Sequence, residues 1–383
     1  MQALQAGSMQ RSSEAAASRA SLVISIHSNY DDFERLRPEW EALRPQDEDQ
    51  DPFLSCDWFA TWWRAFGGKR KLRLVTARRN GRLRAVLPMM LERSWRYGFP
   101  LRRLAAIGND HTARFDLVRA GDHEQLHRAI WDHLMRHRNE WDVLDFPRLS
   151  ADSITAERFI GMAQAQCVPY DLWPRAPKSP WIDIGSSWDN YLNSRSASFR
   201  KTLRRKLRQL AAKGEVELET ITAREALESS LAEGFRIEAE GWKGSNSTAI
   251  LSQQGVADFY TRLAEIMAIR AQLRLHFLTV NGVRIAFDYS IIANRCLYSL
   301  KAGHSTAHAS YSPGTLLLGL ILQEAHEEGL VGMDLLGDSE PFKMHWTHAA
   351  RTHPWLHCYS DSLRGRLFHL IKSRLVPLLR AHG

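Results

Sequence analysis

The chain is predicted to be an α+β protein built from two copies of one unit. Three observations point there. The stretch Leu72–Ala85 returns without gaps as Leu273–Ala286, at one constant offset and with Asn-Gly (Asn80-Gly81, Asn281-Gly282) between apolar, β-prone runs in both copies. Asn-Gly is a strong hairpin signal, because a type I′ turn needs positive φ at both central positions. The offset is about half the chain, which indicates a duplicated domain rather than a short solenoid repeat. Hairpin, strand, helix and strand then follow in the same order in each half, a pattern that implies mixed sheets flanked by helices.

The totals allow two units of ordinary size. The chain has 383 residues, 44% hydrophobic and 25% charged, which is usual for a globular protein. Its formal net charge of +8 favours an anionic partner: nucleic acid, an anionic membrane surface or a phosphate-bearing small molecule. Four scattered cysteines (Cys56, Cys167, Cys296, Cys358) without a C-x-x-C pair disfavour a disulfide framework and a zinc site, and suggest a reducing, cytoplasmic setting. Residues 1–21, rich in Ala, Ser and Gln, read as a disordered leader without a signal peptide. No apolar run reaches the ~18 residues of a membrane span.

In order, Leu22–Ile26 alternates like a strand and Asp31–Leu43 reads as a helix. In the next helix, Trp58, Trp62 and Phe66 recur at i, i+4 and i+8, with Asp57 as the expected N-cap and a packed core stripe as the expected role. After the first hairpin come strands near Leu101–Ile107 and Arg114–Val118, a helix from about His123 to Arg138 and the strand Asp142–Phe146. The second copy repeats this with a strand over Arg295–Gly303, a helix over Gly314–Glu328 and a strand from Gly332 to Leu336. In it, Asp334 answers Asp145. The proline-rich stretch Pro169–Pro180 divides an N-terminal unit, 22–175, from a C-terminal unit, 176–383.

The two copies differ where the helix after the third strand begins. In the second, Ser310-Tyr311-Ser312-Pro313-Gly314-Thr315 precedes an apolar run, with Ser312 suited to N-cap and Pro313 to the first helical position. Gly314 keeps bulk away from free amides, and no acidic residue occupies the first turn. Such a helix start suits a phosphate or pyrophosphate. The matching place in the first copy, Gly121-Asp122-His123-Glu124, carries carboxylates that would repel one.

This order of elements resembles the GCN5-related N-acetyltransferases (GNAT), and the chain looks like their tandem members, the FemAB-like peptidyltransferases and the CelD-like acyltransferases. The resemblance runs from about residue 22 to 360. It rests on Pro52–Gly67, the basic helix Ser198-Phe-Arg200-Lys201-Thr-Leu203-Arg204-Arg205-Lys206, Tyr311-Ser-Pro-Gly-Thr-Leu-Leu, and Asp334-Leu-Leu-Gly-Asp338 through Phe342-Lys343-Met-His-Trp346. It implies two GNAT-like domains, the second holding acetyl-CoA or another acyl-CoA as co-substrate at Ser312, Pro313, Gly314 and Thr315. The full glycine-rich pyrophosphate loop of the family is absent, which leaves acyl-CoA and aminoacyl-tRNA as alternative donors.

Acyl transfer needs a proton acceptor, oxyanion stabilisation and a proton for the leaving thiolate. The resemblance makes Lys343 a candidate for stabilising the oxyanion or holding a donor phosphate. Asp338 could orient that lysine, accept a proton or only cap its loop. His304, just past the third strand, suits a general base, and Tyr311 could protonate the thiolate or merely pack. Asp288 either faces the cleft or is paired on the sheet. The histidine pairs lack a third ligand, so no metal is expected. Residues 198–213 form an amphipathic basic helix whose Arg200, Arg204 and Arg205 could contact an acceptor carrying phosphates. The basic amphipathic tail, 363–380, is expected to pack on the second unit or to meet an anionic membrane surface. The reading is a cytoplasmic N-acyltransferase, alternatively at the inner face of the membrane, acting on a small-molecule or glycan-precursor acceptor. Its rivals are a tRNA-dependent peptidyltransferase, the one case in which nucleic acid is expected, and a non-catalytic binding module.

Overall fold

The computed structural model describes residues 21–44, 51–121, 124–173, 178–240 and 249–375. All of the expected leader except Ser21, and the pair Asp122-His123, lie outside them.

The first half runs β1 (Val23–His27), α1 (Asp31–Leu43), α2 (Cys56–Phe66), β2 (Lys71–Arg79), β3 (Arg82–Arg96), β4 (Phe99–Ala106), β5 (Val118–Arg119), α3 (Glu124–Arg136), β6 (Val143–Phe146), α4 (Thr155–Ala165) and β7 (Tyr170–Leu172). The second runs β8 (Lys178–Asp183), α5 (Trp188–Asn193), α6 (Ala197–Ala211), β9 (Val216–Ile221), α7 (Leu227–Glu240), α8 (Val256–Ile269), β10 (Leu273–Val280), β11 (Val283–Ala293), β12 (Cys296–His304), α9 (Pro313–Glu327), β13 (Gly332–Asp334), α10 (Pro341–Met344) and β14 (Ala350–Thr352). β15 (Leu356–Tyr359) and α11 (Leu363–Leu370) follow.

Both duplicated hairpins turn as their Asn-Gly pairs require, with φ of +53° and +75° at Asn80 and Gly81 and +50° and +74° at Asn281 and Gly282. A Cβ on either glycine would meet nothing within 4 Å, so backbone conformation rather than space selects glycine there. The aromatic stripe of α2 is core, with Trp58 and Trp62 buried. Trp58 presents its edge to Phe53 and to Phe259 of α8, which joins the two halves. The helix starts earlier than expected. Ser55, in extended conformation, caps it by accepting from the Trp58 amide at 3.2 Å, while Asp57 is already helical and paired with Arg37 and Arg270. The strand expected over 114–118 is reduced to Val118–Arg119 and one Phe115–Leu149 bridge. Arg114 instead reaches the other half, and the Asp116 carboxylate accepts from the Leu117 amide and the Thr155 hydroxyl.

Two mixed, mostly antiparallel sheets result, with strand orders β1-β2-β3-β4-β6-β15-β7 (β5 beside β3) and β14-β8-β13-β12-β11-β10-β9. Each has one parallel pair among its central strands, β4 with β6 and β12 with β13. The neighbour of each parallel strand is exchanged. β15, from near the C-terminus, pairs antiparallel with β6, and β8, which precedes the second copy, pairs antiparallel with β13. No single cut of the chain separates the two sheets. The tail follows β15, so α11 packs on the first sheet rather than on the second unit, with Phe368 against Leu101, Val143 and Tyr359.

A buried ion pair crosses between the halves. Arg114, 5% exposed, bonds Asp334 of β13, stands 3.4 Å from Asp51 and lies over the rings of Phe53 and Tyr298. Asp334 is fully buried and also accepts from the Ser179 hydroxyl of β8 and the Leu336 amide. Removing one partner of such a pair strands the other charge in low dielectric. Arg114→Ala is expected to lower unfolding free energy by about 3–5 kcal/mol, read as a loss of denaturation midpoint. Ser179→Ala, which removes only a neutral donor, should cost about 1–3 kcal/mol.

Candidate functional site

The site is built where β12 and β13 part. The strands pair only at Cys296–Gly332, Leu297–Met333 and Tyr298–Asp334. Beyond these, β12 continues to His304 against β11 alone, while the other chain turns away through Leu336 and Gly337, both at positive φ. That divergence leaves a notch with backbone polar groups on both walls. Lys343, on α10, folds back on the diverging segment, donating to the Leu336 carbonyl at 2.8 Å and pairing with Glu340 at 2.5 Å. A Cβ at position 337 would come within 3.2 Å of the Lys343 Nζ, so the glycine meets a steric as well as a conformational demand.

Across the notch lies the start of α9. Ser312 is the expected N-cap residue by position but not by mechanism: it is left-handed (φ +57°, ψ +53°) and its side chain makes no cap bond. Its carbonyl instead receives the amides of Thr315 at 3.0 Å and Leu316 at 3.1 Å. Pro313 has no amide hydrogen, so among the described residues Gly314 keeps an N–H without a protein acceptor. His304 closes this corner, its Nδ1 3.5 Å from where a Gly314 Cβ would stand.

A second helix start meets the first. α6 begins at Ser196, whose hydroxyl accepts from the Phe199 amide at 3.2 Å. The first turns of α6 and α9 share a 260 Å³ cavity lined by Ser196, Ser198, Thr202, Lys206, Ser312 and Thr315, with Phe199, Leu203, Leu316 and His345 completing the wall. Neither first turn holds an acidic residue, and no carboxylate lines the cavity. Two positive helix ends, a ring of hydroxyls and one ammonium form an environment for an anion. The Lys206 Nζ bonds the Ser310 carbonyl at its edge. His345 is held in place by stacking on Phe199 at 5.6 Å, and Trp346 meets the same ring edge-on.

The expected site residues divide into groups. His304, Ser312, Pro313, Gly314 and Thr315 converge at the helix start, and Tyr311 is half-buried against the apolar cluster behind it. Lys343 stands at the opposite wall. Asp338 is exposed at the end of the diverging strand, engaged through its carbonyl rather than its carboxylate. Arg200 bonds the Asn193 side chain at 2.6 Å, and Arg204 and Arg205 are exposed. None of these arginines lines the cavity; the cation of α6 that does is Lys206. Ser196, Ser198, Thr202 and His345 also escaped sequence reasoning. The signal for the first two was a serine cap before a basic helix, which reads equally well as an ordinary helix start.

Asp288 is paired on the sheet. It is buried, accepts from the Ser290 and Ser299 hydroxyls and lies 3.7 Å from the Nδ1 of His276, whose Nε2 is 3.3 Å from Glu324 of α9. Burial alone would disfavour the imidazolium, but the flanking carboxylates of Asp288 and Glu324 outweigh it and hold the His276 pKa above its usual value.

Residues 197–344, from the first residue of α6 to the end of α10, match the family model described as the acetyltransferase (GNAT) domain. No curated protein matches the chain by sequence. Among solved structures the chain is similar to FemX (12% identity, TM-score 0.56, 92% of this chain and 99% of that one). It is also similar to the C-terminal domain of a putative lysylphosphatidylglycerol synthetase from Agrobacterium fabrum (13%, 0.51, 90% and 97%) and to L-PGS from Bacillus licheniformis (12%, 0.50, 88% and 96%). At such identities the likeness is one of fold. The fold is α+β in two GNAT-like units, and the matched span contains both helix starts and Lys343.

His276, with its raised pKa, links α9 to the sheet in a pH-dependent way. A raised folded-state pKa gives stability that is complete below the unfolded value of about 6.5 and is lost as pH rises through the folded value. His276→Gln should therefore be most destabilised relative to the parent in acid, the gap narrowing at alkaline pH. Urea midpoints across pH check this; a constant gap would assign the loss to packing.

Proposed function

We propose that the protein is an acyl-CoA-dependent N-acyltransferase, acting on an amine or hydroxyl of a sugar or an exopolysaccharide or cell-envelope precursor, as in the CelD-like enzymes it resembles. The observation that carries the reading is the carboxylate-free cavity between the starts of α6 and α9, inside the span matched by the acetyltransferase domain model. In this reading the Gly314 amide, the hydroxyls around it and Lys206 grip the donor diphosphate. The acyl group extends into the notch between β12 and the Leu336–Asp338 segment.

The acceptor attacks the thioester carbonyl directly. A relay through a protein thiol is disfavoured, because burial raises the thiol pKa of Cys296 on β12 and keeps it protonated. His304, beside the donor cradle, takes the acceptor proton, and Tyr311 returns one to the departing thiolate. Lys343, fixed by Leu336 and Glu340, sets the shape of the notch and supplies positive charge near the developing oxyanion. The proposed setting is cytoplasmic; among the described residues no helix is long and apolar enough to cross a membrane.

A second reading has its own support. Arg204, Arg205 and Arg208 stand exposed on the outer face of α6, and the fold is that of FemX. Both suit an aminoacyl-tRNA donor, whose backbone phosphates such a face would meet.

Isothermal titration with acetyl-CoA tests the first reading: micromolar binding is expected. Gly314→Glu, which places a carboxylate at the helix start without a steric clash, should abolish it, and Lys206→Ala should weaken it about tenfold. Binding of tRNA with none of acetyl-CoA would overturn this reading in favour of the second. Lys343→Ala is expected to lose turnover while keeping donor affinity, and unchanged activity would remove Lys343 from the site.

A further inference from the structure

The tip of the β3–β4 hairpin and the tail helix α11 leave large apolar side chains in solvent at one end of the central strands of the first sheet. Trp95 is 70% exposed and Tyr97 53% at the hairpin tip. On α11, Leu363, Leu367 and Leu370 are 86%, 47% and 46% exposed, at i, i+4 and i+7 along one outward stripe. The two elements are joined through rings: Phe368 contacts Tyr97 at 5.6 Å and Phe99 at 6.3 Å. Solvent-facing apolar groups collected in this way mark a contact surface.

The charges around them select the partner. Arg93 and Arg96 on the hairpin, Arg364 and Arg366 on α11 and Arg374 just after it are exposed. Asp361, the carboxylate at the start of α11, is paired with Arg138 at 3.2 Å. A tryptophan and a tyrosine at a protruding tip, a leucine stripe and a fringe of arginines are the components of an interfacial anchor on anionic lipid. The same elements contribute Arg96, Tyr97, Leu101 and Phe368 to the wall of a 410 Å³ cavity over the first sheet, which sets a polar recess beside the patch.

We infer that this end of the first sheet docks the protein on an anionic bilayer, the hairpin tip and the leucine stripe entering the interface and the arginines meeting lipid phosphates. The anchor lies on the first sheet, away from the α6–α9 cavity, so it operates whichever donor that cavity takes.

Co-sedimentation of the full chain with vesicles tests this. Binding is expected with phosphatidylglycerol mixed into phosphatidylcholine, to weaken as salt is raised, and to be slight with phosphatidylcholine alone. The double variant Trp95→Ser, Tyr97→Ser should bind about tenfold more weakly, and Arg364→Gln with Arg366→Gln should flatten the salt dependence. Ile269→Ser, at a residue equally exposed (71%) on the second unit, should bind as the parent does, and a denaturation midpoint equal to the parent's controls for folding of each variant. Failure to pellet with anionic vesicles, or pelleting indifferent to the hairpin variant, would overturn the inference. So would sedimentation velocity showing a dimer that the hairpin variant dissolves, since the patch would then be a protein–protein contact.

Discussion

The exchange of one strand between the two sheets is the constraint on which the rest of the molecule depends. β6 would end its sheet if β15 did not cover it, and β13 likewise without β8. An uncovered central strand exposes a row of backbone donors and acceptors. The second half supplies β15 to the first sheet, so that sheet is not complete until the chain has passed through the second and returned. β15 and β8 are short, with four and three residues in register, yet each is flanked by a further strand, β7 and β14, on its other side. The Arg114–Asp334 pair lies where this crossing brings β13 against the first half. The hydroxyl of Ser179, on the exchanged β8, is the second donor to the same carboxylate.

The crossing also explains why two copies of one unit have different surroundings. Asp145 and Asp334 hold equivalent places on β6 and β13. Asp145 is met by Arg103 of its own sheet and by Trp355, just before β15, and it lines a cavity. Asp334 is met by an arginine of the opposite half and is sealed from water. The carboxylate at this place therefore lines a recess in the first half and pairs across the interface in the second. With the interface locked, the notch between β12 and the Leu336–Asp338 segment keeps its width, and Gly337 lets Lys343 close against its floor.

At the helix starts, charge matters more than shape. α9 buries Leu316, Leu317, Ile321 and Leu322 against its sheet, and His276 lies between Asp288 of the sheet and Glu324 of the helix. α6 is attached more lightly, through Phe199, Leu203 and Leu210, while Leu207 faces solvent. The positive ends of both helices add in one small volume that no side-chain anion occupies, an arrangement costly to keep unless an anionic ligand shares it.

Local rules were enough for much of this. Asn-Gly placed both hairpins, because only a left-handed pair of residues closes a type I′ turn. Periodicity placed α1, the Trp58–Trp62 stripe and the apolar α9, and the missing acids before Leu316 marked the helix start that differs between the copies. What local rules could not reach depends on contacts distant along the chain. Ser55 rather than Asp57 caps α2, because Asp57 is claimed by Arg37 and Arg270. Lys206 rather than Arg200, Arg204 or Arg205 faces the cavity, because Phe199 and Leu203 set the rotation of α6 against Trp346 and α9. The tail lies on the first sheet because β15 carries it there. The sequence by itself determined the duplicated unit, its turns and the uncharged helix start, all set by neighbours a few residues apart. Only the tertiary structure decided the exchanged strands, the second helix end at the cavity and the buried charge pairs, because each joins residues distant in sequence that meet after both sheets have closed.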